Sequence, residues 1–485
     1  MPAKSLSCVT SSSDTTSHYR PFAEKMEKAG IPSIVINIFK CYYTQFLYGA
    51  QGKLSERELL PIEHGELPRY EDLREYHDDG CAALSKTVII KLNGGLGTSM
   101  GLTGPKSLLP VRGDKTFLDL ILRQAQVIRE DFGVRFPQIF MNSFNTEQAT
   151  LDRIAAFNSG FDNGDSGIPL SFLQHKYPKI LASDSSPASW PANPELEWNP
   201  PGHGDIYTAM VTSGMLRRLL DSGFRYAFVS NSDNLGAIMD EGLLGYMARE
   251  NLPFIMEVAR RTPSDRKGGH LTRLLKTGRY ALRETAQCPG NEMDTFCDIE
   301  RHRFFNTNSI WVDLEVLEKV FAAHRMMPLD LIVNPKNLDP RDPASPEIYQ
   351  LETAMGSAIS AFYDATPVIV PRSRFAPVKT SNDLLLTMSD CYLETEDATL
   401  VPNPECSNPL PLVNLDSKFY KKIDEFQKRF PEGVPSLLEC RSLTVKGDVT
   451  FEPGVILRGE VRVENTSKSP VVLPAGTEVE GYVEL

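Results

Sequence analysis

Two periodicities alternate along this chain. Thr87 to Leu92 (T-V-I-I-K-L) is a short apolar run between polar flanks and reads as a buried strand. Phe117 to Glu130 carries Leu118, Ile121, Leu122, Ala125 and Ile128 at helical spacing. The same reading predicts strands over Gln138 to Met141, Tyr226 to Ser230, Phe254 to Val258, Ile310 to Val312 and Pro367 to Val370. It predicts helices over Ile206 to Leu220, Leu314 to His324 and Thr353 to Tyr363. Strands alternating with helices on this scale predict an α/β fold, a sheet with helices on both faces. Upstream, Pro21 to Gly52 reads as two helices, the second starting near Pro32, whose fixed φ suits a first helical position. Met1 to Ser17 is rich in Ser and Thr and is expected to be disordered.

The pattern changes after about Leu400. Pro402, Pro404, Pro409 and Pro411 suggest a linker. Beyond Cys440 the helical period is lost. Leu443 to Val445, Val449 to Phe451, Val455 to Leu457 and Val461 to Val463 form short rungs separated by Gly447, Gly454 and Gly459. Such rungs predict a small all-β unit of β-helix type. Three units are therefore expected: a helical segment over 1–84, an α/β domain over 85–395, and a linker with the β unit over 396–485.

Charge narrows the partners. The chain has 63 acidic and 51 basic residues among 485, a formal net charge of −12. Such a field disfavours nucleic acid and anionic membranes, but it allows an anionic ligand in one locally positive pocket. Ile31 to Ala50 is the nearest approach to a membrane span. Pro32, Asn37, Lys40 and Gln45 make it a buried helix instead, so no membrane partner is expected. The eight cysteines are scattered without a C-x-x-C pair, which predicts free thiols in a reducing cytoplasm. The C-terminal tripeptide is not S-K-L, and import into a peroxisome-like organelle stays open. The eight histidines show no zinc-ligand spacing.

The densest chemistry follows the first strand. Lys91 to Lys106 reads K-L-N-G-G-L-G-T-S-M-G-L-T-G-P-K. A strand ending in such a glycine run offers bare backbone N–H groups, which suit phosphates. A Walker A loop fails here, because Pro105 precedes Lys106-Ser107. A dinucleotide fingerprint fails by one residue between Gly97 and Gly101. Gly97 to Gly101 does match G-x-S-x-G, so a serine hydrolase using Ser99 is an alternative. Against it, Ser99 lies well past Leu92, and Gly104-Pro105 prevents an immediate helix.

The longer string, L-N-G-G-L-G-T-S-M-G-x-x-x-P-K, resembles the signature of the UTP–glucose-1-phosphate uridylyltransferase family. Further segments match in family order: Pro200 to Asp205, Ser230 to Asn234, Lys267 to His270, Phe304 to Asn308 and Arg374 to Lys379. The resemblance covers most of the chain. It implies a nucleotide-sugar transferase (Rossmann-like) mixed sheet with flanking helices and a C-terminal left-handed β-helix. It implies UTP and glucose 1-phosphate as substrates, UDP-glucose and pyrophosphate as products, and Mg2+ as cofactor. UDP-N-acetylhexosamine pyrophosphorylases share a similar glycine loop, so another UDP-sugar pyrophosphorylase, for N-acetylhexosamine 1-phosphate or galactose 1-phosphate, is an alternative. Asn93 and the F-F-N-T-N string favour glucose.

The roles implied fall on particular residues. In-line transfer between two anions needs positioning and charge neutralisation rather than an acid–base pair. By resemblance, Lys106 contacts UTP phosphates and Lys379 stands beside the transferring phosphoryl group as the principal catalytic residue. Taken alone, either would be a solvated lysine. Asp233 follows a strand end, where a carboxylate suits Mg2+. Leu92, Asn93, Gly94 and Gly95 are expected to present backbone to uracil, and Gln174 a side-chain amide. Gly202 and His203 precede a helix start that favours an anion. Gly202 is assigned to UTP, and His203 to the phosphate of glucose 1-phosphate. Asn231, Ser232, Gly268, Gly269, Glu284, Asn306 and Asn308 are expected around the sugar. Asn306 and Asn308, two apart on a strand, would share one face. The chain ends soon after Gly481-Tyr482, short of the tail through which longer relatives oligomerise, so a monomer is expected.

Overall fold

The strand Thr87–Asn93 is buried along its whole length because both faces are covered. Val88, Ile90 and Leu92 enter one apolar core with Ile139, Met141, Ala227 and Val229. Ile89 enters the opposite core with Phe140, Phe228 and Trp311. Successive side chains of a strand point to opposite faces, so a doubly covered strand reads as a continuous apolar run. The computed structural model describes residues 13–50, 52–97, 100–102, 104–157, 161–406 and 410–485.

Around this strand lies a ten-stranded mixed sheet. Tyr226–Asn231 pairs parallel on one side; Gln138–Asn142 and then Ser171–Leu173 pair parallel on the other. Beyond Tyr226–Asn231 the long antiparallel strand Phe304–Asp313 carries Phe254–Arg260 and His270–Leu274. The parallel strands bring their carboxyl ends to one rim.

The helix Phe117–Phe132 starts where Thr116 and Asp119 cap each other and stops at Gly133, whose φ of 62° is left-handed. Its apolar stripe covers one face of the sheet. Losing the Thr116 cap would cost about 1 kcal/mol. The expected helix over Ile206 to Leu220 is two helices, Asp205–Thr212 and Met215–Asp221, broken by Gly214 at φ 76°. The expected helix over Thr353 to Tyr363 is also revised. Thr353 closes the strand Glu347–Thr353, and only a 3-10 turn, Met355–Ser360, follows. The first helix begins at Ser13, within the stretch expected to be disordered, and contains Pro21. The second, Ser33–Leu47, follows Pro32 and buries Phe39, Tyr42 and Tyr43 with Tyr177 and Leu351. Among the described residues no helix is long and apolar enough to cross a membrane.

The C-terminal strands Leu412–Leu415, Cys440–Lys446, Ile456–Glu464 and Glu478–Glu484 stack in parallel, and Val449–Phe451 pairs with Val471–Leu473. Leu443, Val445, Phe451 and Val461 share one core with the helix Phe117–Phe132. Between Leu412–Leu415 and Cys440–Lys446 lie two short helices, Ser417–Tyr420 and Ile423–Arg429. Among the described residues, Cys81, Cys288, Cys297, Cys391 and Cys406 carry free thiols. Cys41, expected to be free, is disulfide-bonded, because pairing depends on distance in space, which sequence spacing does not reveal.

At the start of the strand His270–Leu274, His270 stacks on His302 with centroids 3.8 Å apart. Burial pulls His270 well below its ordinary 6.5, with His302, Arg261 and Arg283 adding to the effect. Burial also lowers His302, against the pull of Glu56. Both rings therefore fold neutral, and below 6.5 the unfolded chain binds more protons than the folded one. Stability is fully present above that value and is lost as pH falls further. The thermal midpoint should drop between about pH 6.5 and pH 5. In His270→Gln that pH slope should flatten, as read by thermal melts across the range.

Candidate functional site

The rim at the carboxyl ends of the parallel strands gathers most of the expected residues. Leu92 and Asn231 are register partners, as are Asn93 and Asn142. The Leu92 carbonyl accepts from Ser232 N–H at 3.1 Å. The side chain of Asn93 is fully engaged. It donates to Asn142 Oδ1 at 2.8 Å and Thr150 Oγ1 at 2.9 Å, and accepts from Ser232 Oγ at 3.1 Å. Asn93 therefore has only backbone to offer a ligand, and the Ser232 hydroxyl, expected at the sugar, is taken up by Asn93.

Gly94 faces Gln174 directly: a Cβ on Gly94 would lie 2.6 Å from Gln174 Nε2. Residue 94 must be glycine for that amide to lie against the turn. Gly95 accepts from Lys106 N–H at 3.2 Å, closing the glycine loop onto the lysine. Gly97 (φ 58°) and Gly101 (φ 75°) bend it through left-handed turns. Ser99 lies outside the described residues. The strand ends at Asn93, and residues 94–97, which follow it, carry no helix.

Lys106 Nζ donates to Asp233 Oδ2 at 2.8 Å. The other carboxylate oxygen, Oδ1, is buried without a hydrogen-bond partner. An ionised carboxylate oxygen sealed from water calls for a cation. One carboxylate beside a glycine loop fits a divalent ion that takes its remaining ligands from a bound ligand and water.

Across the rim, Gly202 (φ 80°) would place a Cβ 2.4 Å from the Thr353 carbonyl. That carbonyl accepts from Gly204 N–H at 2.9 Å. The turn thereby delivers His203 to Met355, whose N–H donates to His203 Nδ1 at 3.0 Å. Nδ1 is an acceptor, so a neutral ring carries its proton on Nε2. Burial, with Lys379 adding, lowers the imidazole to about 4. Burial raises the Glu284 carboxyl, and Lys379 opposes that rise. Lys379 therefore lies within electrostatic reach of both His203 and Glu284.

Glu284 packs on Gly269, where a Cβ would lie 2.5 Å from its Oε2. Gly269 accepts from Asn306 N–H at 3.2 Å, and Gly268 donates to Asp265 at 2.8 Å. Asn306 and Asn308 meet as expected, but they bond each other: Asn306 Nδ2 donates to Asn308 Oδ1 at 2.8 Å. Asn308 has a left-handed φ of 58°, a departure from strand geometry that alternation alone does not foresee.

One clamp was missed. Asp205 accepts from the His175 backbone N–H at 2.6 Å and contacts His175 Nδ1 at 2.9 Å. It ties the Gln174 segment to the His203 turn. The signal available was a carboxylate at a helix start, where free backbone donors also explain it.

Comparison with known proteins identifies the family. A family model described as UTP–glucose-1-phosphate uridylyltransferase matches residues 36–458. A Dictyostelium discoideum protein named UTP–glucose-1-phosphate uridylyltransferase 2 is 38% identical over 445 residues, covering 91% of this chain and 86% of the relative. One from Solanum tuberosum is 41% identical over 399 residues, 82% of this chain and 80% of its own length. Among solved structures, a variant Leishmania major UDP-glucose pyrophosphorylase in complex with UDP-glucose superposes with TM-score 0.89 at 41% identity, covering 98% of this chain and 100% of that one. A Trypanosoma brucei structure named UDP-glucose phosphorylase has TM-score 0.89 at 41% identity, covering 97% and 100%. A rim that gathers a glycine loop, a Lys–Asp pair and a second lysine beside a neutral histidine, in a chain matched over nearly its full length, places this protein in the UTP–glucose-1-phosphate uridylyltransferase family.

Proposed function

We propose that the cleft at this rim joins UTP to glucose 1-phosphate, giving UDP-glucose and pyrophosphate, with Lys379 and Lys106 as its catalytic cations. The carrying observation is the meeting of the Lys106–Asp233 pair with Lys379 and the neutral His203 at one rim. The serine-hydrolase alternative and the other sugar phosphates are not favoured, since the matched relatives bear the glucose 1-phosphate name.

A phosphate oxygen of glucose 1-phosphate attacks the α-phosphorus of UTP. The bond from that phosphorus to the β-phosphate bridging oxygen breaks, and pyrophosphate leaves with the electron pair. Both reactants are anions, so cations fixed before the reaction lower the barrier most. Lys106 serves the UTP phosphates, held by its loop contact to Gly95. Lys379 serves the transferring phosphoryl group. The His203 ring, kept neutral and with Nδ1 occupied, donates from Nε2 to the sugar phosphate. Gly202 shapes the turn on the UTP side. Leu92, Asn93, Gly94 and Gly95 present backbone to uracil, with the Gln174 amide reading its edge. Glu284, Asn231, Asn306, Asn308, Gly268 and Gly269 line the sugar side, and Ser232 acts there through its backbone.

Nucleotidyltransferases of this kind generally use a divalent metal, and we take it to be Mg2+. The orphan oxygen of Asp233 supports that choice. Bound there, the ion would neutralise charge on the phosphates. The parallel C-terminal rungs support a left-handed β-helix. Three units over 1–84, 85–395 and 396–485, a monomer, and a cytoplasmic setting complete the proposal. The free thiols of Cys81, Cys288, Cys297, Cys391 and Cys406 support a reducing compartment.

Pyrophosphate release should require UTP and glucose 1-phosphate together, and chelation by EDTA should abolish it; release without the sugar phosphate would overturn the activity. Lys379→Ala should lower kcat by about 10²- to 10³-fold with an unchanged melting curve. Lys106→Ala should also lower kcat, by about tenfold, the equivalent of one charge-assisted hydrogen bond lost from the transition state. Initial-rate kinetics would check both.

A further inference from the structure

The loop that follows Asn231 has no regular secondary structure, yet Leu235, Ala237 and Met239 are buried. Buried backbone groups need partners. Here side chains supply them from other elements. Gln124 donates to the Leu235 carbonyl at 3.2 Å, Lys91 to Ala237 at 2.6 Å and Arg374 to Ile238 at 2.9 Å. The loop that carries Asp233 is therefore pinned by its carbonyls.

Asn234 then joins that loop to the segment carrying Lys379. Its Nδ2 donates to the Arg374 carbonyl at 3.1 Å. Its Oδ1 accepts from Gly236 N–H at 3.2 Å and from Ala376 N–H at 2.9 Å. Val378 N–H donates to the Asp233 carbonyl at 3.2 Å. A Cβ at residue 236 would lie 2.2 Å from the Ser373 carbonyl, so glycine there permits the close approach. The far end is bolted to the sheet. Arg374 forks onto the fully buried Glu257, with Nε and Nη2 bonds of 2.7 Å, and Trp311 Nε1 donates to the same carboxylate at 3.0 Å. A two-bond fork fixes orientation as well as distance.

We propose that Asn234 is a positioning residue for the transfer: its side chain clasps the Asp233 loop to the Lys379 segment and sets the spacing between the two groups. This rests on the roles proposed above for Asp233 and Lys379. Asn234 is buried and touches no reacting atom, so it acts through Lys379. The geometry points to a rate effect rather than a binding effect, because misplacing a catalytic group by about 1 Å costs on the order of 100-fold.

A double-mutant cycle on the full-length enzyme tests it. Asn234→Ala should lower kcat about 10- to 100-fold while the KM for UTP stays within about threefold. In a Lys379→Ala background the same substitution should change kcat less than about twofold, because the group it positions is gone. A merely structural loss would lower both backgrounds equally. Equal losses in the two backgrounds, or an unchanged kcat in Asn234→Ala, would overturn the clasp while leaving the assigned site intact. Wild-type turnover in Lys379→Ala by itself would instead overturn the site assignment. Should Asn234→Ala fail to fold, Asn234→Asp keeps the acceptor and loses the donor to Arg374, and the same cycle is read with it.

Discussion

The parallel register of Thr87–Asn93 between Tyr226–Asn231 and Gln138–Asn142 is the constraint on which the site depends. It places Leu92 beside Asn231 and Asn93 beside Asn142, and Asn142 beside Leu173 at the next strand. Three chain segments distant in sequence therefore leave the sheet at one level. The glycine loop, the Asp233 loop and the Gln174 segment all begin there. A register slip of one residue would turn Asn93 away from Asn142, exchange the faces of every buried residue, and disperse the rim.

Electrostatics at that rim runs against the molecule as a whole. The chain carries a formal net charge of −12, yet the chemistry asks for cations around phosphates. The conflict is resolved at short range. Lys106 is held by Asp233, Lys379 stands within reach of His203 and Glu284, and glycine N–H groups line the loop between. His203 stays uncharged because burial and Lys379 both oppose a second cation there. Donors fixed in place stabilise charge better than a diffuse positive surface would. The C-terminal unit closes on the same loop: Lys422 packs beside Gly101, where a Cβ would lie 3.3 Å from its Cγ.

Several elements were legible before any coordinates. The strand T-V-I-I-K-L and the helix Leu314–His324 stand where the pattern put them, because burial on both faces or along one stripe leaves a direct trace in residue type. Other elements were not legible. The helix expected from Thr353 is a strand end and a 3-10 turn, because pairing with Leu331–Asn337 outweighs the local period. Asn234 and Arg374 lie in segments that matched the family, yet nothing local distinguishes a clasp from an ordinary polar residue. Glu257 lies inside the strand expected over Phe254 to Val258, but no rule of spacing leads from it to Arg374.

By itself, the sequence determined the layered α/β class, the glycine loop after the first strand, the family and the residue types that phosphate transfer needs. These are properties of local pattern and of motifs that lie contiguous in the chain. The tertiary structure alone decided which side chains are free to meet a ligand. Asn93 and Ser232 bond each other, Asn306 bonds Asn308, and one oxygen of Asp233 is left without a protein partner. Hydrogen-bond satisfaction is settled through space, among groups brought together by strand register and packing, and a linear pattern carries no record of it.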